Sequence, residues 1–593
     1  ITYQALQYAL NKKKIREEEI EKEEEELLRR VKTEEIEYDL IQELKVKKIN
    51  TIVLDEAHHL RAEWWKSLCQ VIKEIPDIKV ISLTATPPYD VEENEWKKYE
   101  EVCGSIDAEI SVPELVATGD LCPHQDYVIF NMVTKQELDE IRRIRNSIDE
   151  YIDQLKQNKE LAEMLISNKV LSAWRANEEI ILNDTSYYSS IIIFLNSLGV
   201  NINKDLVKLI SGTTIIPSFN KKWAEVLLKN VIYVHNDDYP ENEQLIKDMK
   251  KQLEILGCAE KRNVYLEDVN AVRKLMASSI SKLESIEQIV EKEYRALKEN
   301  LSMVVLADYV RYDYLDCNIE NINKLGVVPI FRRLLEKNIC SNLAVLTGKL
   351  KIVPKSVVPY IKEQLNLLNI NDDNIFTDLS IDNNYVVIDG SKKIENAIVN
   401  IVTECINLKK INIVIGTVAL LGEGWDAPAV NSLILASYVG SFMLSNQMRG
   451  RAIRKSREQN KSANIWHLAS LAKLDNNEFD FSDLETLQRR FKGFVGIAYY
   501  DNLIQDGMER LSIISTEKLK KNHTLINEEM YKIALNRELM ASRWKKILDV
   551  FGGTNIKMVD KLSGKFKVNS KMFVTMDLKK MLLVLLIVNV VCC

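Results

Sequence analysis

NTIVLDEAHHL, Asn50–Leu60, and KVISLTATPP, Lys79–Pro88, decide the fold. Each is a short apolar run rich in β-branched residues. The first ends in Asp55 and Glu56, the second in the small hydroxyl residues Thr84 and Thr86. The stretch between them, from about Trp64 to Ile75, has helical spacing. Strand, helix, strand with polar groups at the carboxyl ends predicts a parallel sheet whose ligand lies at that edge. An Asp at the end of a buried parallel strand can hold magnesium, commonly through water. The following acid can orient or deprotonate an attacking water. Asp55 and Glu56 suit those two roles.

Working outward, residues 12 to 46 form a densely charged helix-forming run of mixed sign, which reads as a solvated helix or surface insertion. From about Thr134 to Asn300 long amphipathic helices with few glycines predict a helical insertion. Strand-like runs return at LSMVVLADYV, NLAVLTG, NNYVVIDG, INIVIGT and NSLILAS, separated by helical stretches, and predict a second α/β domain beginning at Leu301. The expected division is 1–133 for the first α/β lobe, 134–300 for the helical insertion, 301–475 for the second lobe and 476–593 for a mixed C-terminal region.

Composition sets the limits of this reading. A chain of 593 residues is too long for one core and should divide into about three or four domains. The formal charge of −7 gives no global basic field, so a nucleic-acid site must be a local groove. Arg449 to Lys461 supplies such a local surface, with six basic residues and one acid. Nine cysteines without a CxxC pair read as free thiols in a reducing, cytoplasmic setting. Cys103, Cys122 and His124 are close in sequence but read as core or loop residues, not metal ligands. The start of the chain lacks a basic region and is too polar for a signal peptide. The apolar tail Met581–Cys593 is shorter than the ~20 residues a spanning helix needs, so a membrane partner is not expected unless that tail continues.

Taken together, the motifs resemble those of superfamily 2 helicases. Asp55-Glu56-Ala57-His58 resembles motif II and Thr84-Ala85-Thr86 motif III. GTVALLGEGWDAP from Gly416 resembles motif V, and QMRGRAIR, Gln447–Arg454, matches the QxxGRxxR of motif VI. A closer resemblance is to bacterial DEAD/DEAH-box proteins related to the Res subunits of type III restriction enzymes, carried also by PELVATGDLCPHQDY, Pro113–Tyr127.

The resemblance implies two RecA-like parallel-sheet lobes that hydrolyse ATP between them and move along nucleic acid, with DNA favoured over RNA. It implies Mg2+ on Asp55 through water, Glu56 as the base, and Arg451 and Arg454 as arginine fingers with Gln447 beside them. Asp55, His58, Gly424, Asp426, Arg451 and Arg454 would contact nucleotide. Thr84, Thr86, Thr417, Tyr3, Gln4 and Arg449 would couple the nucleotide to nucleic acid or touch the strand. On a helix, Arg451 and Arg454 would share one face.

The family's phosphate loop, GxxxxGK[ST], is expected before Ile1. As written the chain should bind ATP poorly, and the intact protein would be the enzyme. Two other readings stand beside the motor. One is a nucleic-acid-binding scaffold without ATPase activity. The other is the motor subunit of a restriction or defence complex with nuclease or methyltransferase partners.

Overall fold

The computed structural model describes residues 3–11, 40–57, 62–75, 77–87, 93–260, 262–318, 322–340, 342–370, 373–421, 425–436, 442–456, 460–474, 478–491 and 493–551. Most of the charged run at 12–46, together with His58, Gly422, Gly424 and the tail Met581–Cys593, lies outside them. Among the described residues, no helix is long and apolar enough to cross a membrane.

The two runs that decide the fold form the parallel pair Thr51–Leu54 and Lys79–Ser82, with Leu54 opposite Ser82. The helix Ala62–Glu74 connects them, as its spacing predicts. Leu54, Ala57, Leu68, Val71 and Ile75 share a core with Leu6 of the helix Tyr3–Asn11 and with Tyr99 and Val102 of Glu93–Cys103.

The second sheet has ten strands among the described residues. Six run parallel, in the spatial order His124–Met132, Ala463–Lys473, Ser432–Leu435, Met303–Ala307, Ile413–Thr417, Leu343–Leu346. Lys351–Pro354, Tyr385–Ile388 and Phe376–Asp378 extend it by antiparallel pairing. Strands buried on both faces read as continuous apolar runs, as Met303–Ala307 and Ile413–Thr417 do. The α/β class with a mainly parallel sheet is therefore as expected.

Two expected boundaries move. The expected division puts His124–Met132 in the first lobe, yet it pairs along nine residues with Ala463–Lys473 of the second sheet. Its groups on the other side are partly met by a side chain. Asn527 accepts from the Phe130 N–H at 2.9 Å and donates to the Phe130 carbonyl at 2.7 Å, occupying that edge as another strand would. The helices Thr516–Leu535 and Arg537–Phe551 therefore cover this strand, and the C-terminal region packs on the second lobe.

The helical insertion has its own core, drawn from Val133 to Met276 plus Ala472. Lys282–Leu297, expected within it, instead buries Ile286, Ile289 and Val290 in the core of the second sheet. A capping box opens the first insertion helix, Lys135–Gln157: Thr134 caps the Glu137 N–H and Glu137 accepts from the Thr134 N–H. The same Glu137 carboxylate accepts from Ser279 Oγ at 2.7 Å and the Ile280 N–H at 2.9 Å. One side chain thus closes the two ends of the insertion together.

His124, fully buried against Trp544, makes stability depend on pH. Burial, reinforced by the nearby Arg449 charge and only partly offset by the Cys122 carbonyl and Asp126, pushes its imidazole down to about 3. The unfolded chain binds the proton near the usual value of about 6.5, so stability is full above that pH and falls below it. Between pH 7 and pH 5 the loss from this residue should be about 2 kcal/mol. Urea midpoints at the two values, compared with those of His124→Gln, check this; equal slopes in both proteins would contradict it.

Candidate nucleotide site

Asp55 and Glu56 stand exposed immediately after the strand Thr51–Leu54. Glu56 has φ of 48°, a left-handed conformation that costs a residue with a side chain roughly 1 kcal/mol. The turn is held from several sides. Asp55 Oδ1 accepts the Glu56 N–H at 3.0 Å, the Ala57 N–H reaches the Leu83 carbonyl at 3.0 Å, and the Leu83 N–H reaches the Leu54 carbonyl at 2.8 Å. The backbone of the acidic turn is thus joined to the segment entering Thr84–Thr86.

In that segment the Thr86 N–H donates to Thr84 Oγ1 at 3.1 Å, and Thr86 is buried. Tyr3 stacks on Trp64 with ring centroids 5.5 Å apart, and its hydroxyl donates to the Asp55 carbonyl at 2.8 Å. Burial, with Cys103, Asp55 and Glu56 nearby, raises that phenol to about 12. Tyr3 therefore braces the acidic turn from beneath, where a strand-contacting role was expected. Gln4 lies in the same helix.

The second group is built on the strand Ile413–Thr417 and the helix Phe442–Ala452. Gly416 is required at the strand end, because a Cβ there would lie 2.6 Å from the Leu346 carbonyl oxygen. Thr417 beside it is buried. Trp425 is a packing residue whose indole donates to Thr403 Oγ1 at 2.7 Å. With Asn400, Thr403, Glu404, Asn407 and Asp426 it lines a groove of about 380 Å³.

Arg451 donates to the Trp425 carbonyl, and Arg454 pairs with the Asp426 carboxylate. The two arginines do converge, on consecutive residues, but not by sharing a helix face. The helix ends at Ala452, and Arg454 lies beyond it, bridged to Leu121. The Arg454–Asp426 pair is substantially exposed, so it contributes no more than about 1 kcal/mol and can exchange partners readily. Gln447 is on the same helix. His58 and Gly424 are outside the described residues.

Arg449 departs most from expectation. The resemblance implies a place for it on the nucleic-acid surface, yet it is 1 % exposed. Its Nε meets both Asp126 carboxylate oxygens at 3.1 Å, and Nη2 donates to the Val495 carbonyl at 2.7 Å. Asp126 also accepts from Arg510 Nη2 at 2.6 Å and His467 Nε2 at 3.0 Å. Burial would raise the Asp126 carboxyl, but Arg449 and Arg510 outweigh it and hold it well below its usual range. Burial likewise lowers His467, which Asp126 only partly offsets. Sequence reading overlooked Asp126; its signal was an acid at the start of the otherwise apolar DYVIF run.

The magnesium expected on Asp55 suits the geometry. Its carboxylate is exposed at the end of a parallel strand, where one protein oxygen and several waters are what that cation ordinarily takes.

Residues 2–89 match the family model described as "Type III restriction enzyme, res subunit". No curated protein matches the chain. Among solved structures, the crystal structure of the Pyrococcus furiosus Hef helicase domain aligns at 13% identity with a TM-score of 0.30, over 73% of this chain and 74% of that one. The segment carrying Asp55, Glu56, Thr84 and Thr86 is thus similar to the Res subunit of type III restriction enzymes.

Proposed function

We propose that the protein is an ATP-driven translocase or helicase acting on nucleic acid, with DNA favoured. One observation carries the reading. Asp55 and Glu56 stand exposed on a turn locked to the Thr84 segment, while Arg451 and Arg454 converge on the Trp425–Asp426 segment of the second sheet's domain.

Hydrolysis of a phosphoanhydride needs an oriented water and cations placed against charge on the transferred phosphoryl group. Asp55 would hold magnesium, which supplies charge neutralisation at the phosphates. Glu56 would accept the proton of the attacking water. Arg454, released from Asp426, and Arg451 would supply guanidinium charge from the second lobe. Thr84 and Thr86 would couple the acidic turn to the bound strand, held mainly through its phosphates.

The Res-like match favours a motor that works with restriction or modification partners. The reading is tested by ATP turnover of the full-length protein with and without duplex DNA.

A further inference from the structure

We propose that Arg449 is a positioning residue that sets the placement of Arg451, and that the segment Leu121–Asp126 is the fixed point it grips. The inference rests on the role given to Arg451 above.

Residues two apart on a helix point to opposite sides. Arg449 enters the core, and Arg451 turns the other way, to the Trp425 carbonyl. Arg449 ties the helix to two separate elements, the strand His124–Met132 through Asp126 and the chain at Val495. Its guanidinium also lies over the Phe494 ring, 5.2 Å from the centroid.

Asp126 is itself immobilised. Arg510 and His467 bind its carboxylate, the Tyr499 hydroxyl donates to its carbonyl at 2.7 Å, and Arg510 Nη1 holds the adjacent Gln125 at 2.6 Å. The same short segment grips the chain again just past the helix. The Cys122 N–H donates to the Ile453 carbonyl at 2.8 Å, and Leu121 bridges Arg454. Arg451 therefore sits between two grips by one segment, at Arg449 and at Ile453–Arg454.

Stability alone does not account for this arrangement. A buried ion pair is often no better for stability than apolar side chains of similar volume, and its best-attested use is to fix one register. Here two guanidiniums surround one carboxylate. Replacing Arg449 by methionine leaves Asp126 and Arg510 matched one to one, so Arg449→Met should fold.

The experiment compares wild type, Arg449→Met and Arg449→Lys in the full-length protein. Three readouts are taken: the urea midpoint, steady-state ATP turnover, and amide exchange. Arg449→Met should keep the wild-type midpoint and ATP KM while kcat falls by about ten-fold or more, the size of effect expected from displacing a catalytic group by a fraction of an ångström. Arg449→Lys, which can still reach Asp126, should recover part of kcat. Amides of residues 450–454 should exchange faster in Arg449→Met, with those of Ile413–Thr417 unchanged.

Unchanged kcat and unchanged exchange at 450–454 would overturn the proposal, as would a kcat loss that merely follows a lowered midpoint. If the wild type turns over no ATP, the proposed function fails, and exchange at 450–454 alone decides whether Arg449 positions this segment.

Discussion

Glu56→Gln in the full-length protein should lower ATP turnover by about 10²–10⁴-fold, the usual contribution of a general base, while ATP still binds. The amide keeps the size and shape of the carboxylate but cannot take a proton from water. Glu56 is exposed, and its turn is held by the Asp55 carboxylate on the Glu56 N–H and by backbone bonds at Ala57 and Leu83, none of which uses the Glu56 side chain, so the fold should not respond to the change. Two measurements separate the outcomes: phosphate release under saturating Mg·ATP, and equilibrium binding of a fluorescent ATP analogue. Turnover within a few-fold of wild type would remove Glu56 from the base role. Loss of binding together with turnover would mean that the residue shapes the turn and does no proton transfer.

The largest effect on stability should come from Asp126→Ala, which leaves Arg449 and Arg510 buried without the carboxylate that both of them bind. Breaking a buried pair in this way costs about 3–5 kcal/mol, far more than the pair is worth relative to an apolar substitute. The carboxyl is held below its usual range in the fold, so its contribution is full above about pH 4 and is lost as pH falls further. Urea unfolding at neutral pH measures the difference. A change below about 1 kcal/mol would show that water or a shifted strand rehydrates the guanidiniums. Asp126→Ala and Arg449→Met should therefore differ sharply in stability although they break the same contact.

How much of this was legible in the sequence follows from the range of the interactions concerned. The acidic turn and the Thr84 loop were legible because each sits at the end of a short strand, and strand, helix and strand are contiguous in the chain. The insertion announced itself by helical periodicity over more than a hundred residues. The placement of His124–Met132 was not legible. The short apolar run Tyr127–Phe130 declares burial but not which sheet buries it, and the partner strand, Ala463–Lys473, lies more than three hundred residues away.

Arg449 was misread for a related reason. In the run RGRAIR the three arginines look alike, and only the distant Asp126 and Val495 separate the buried one from the two that reach Trp425 and Asp426. The shared helix face expected for Arg451 and Arg454 failed because the helix stops at Ala452, before Arg454.

The decisive measurement is ATP turnover by the full-length protein, as phosphate release with Mg·ATP in the presence and absence of duplex DNA, for wild type and Arg451→Ala. Turnover that duplex DNA stimulates in the wild type and that Arg451→Ala abolishes is the predicted result. No turnover with any nucleic acid, or turnover indifferent to Arg451, would contradict it.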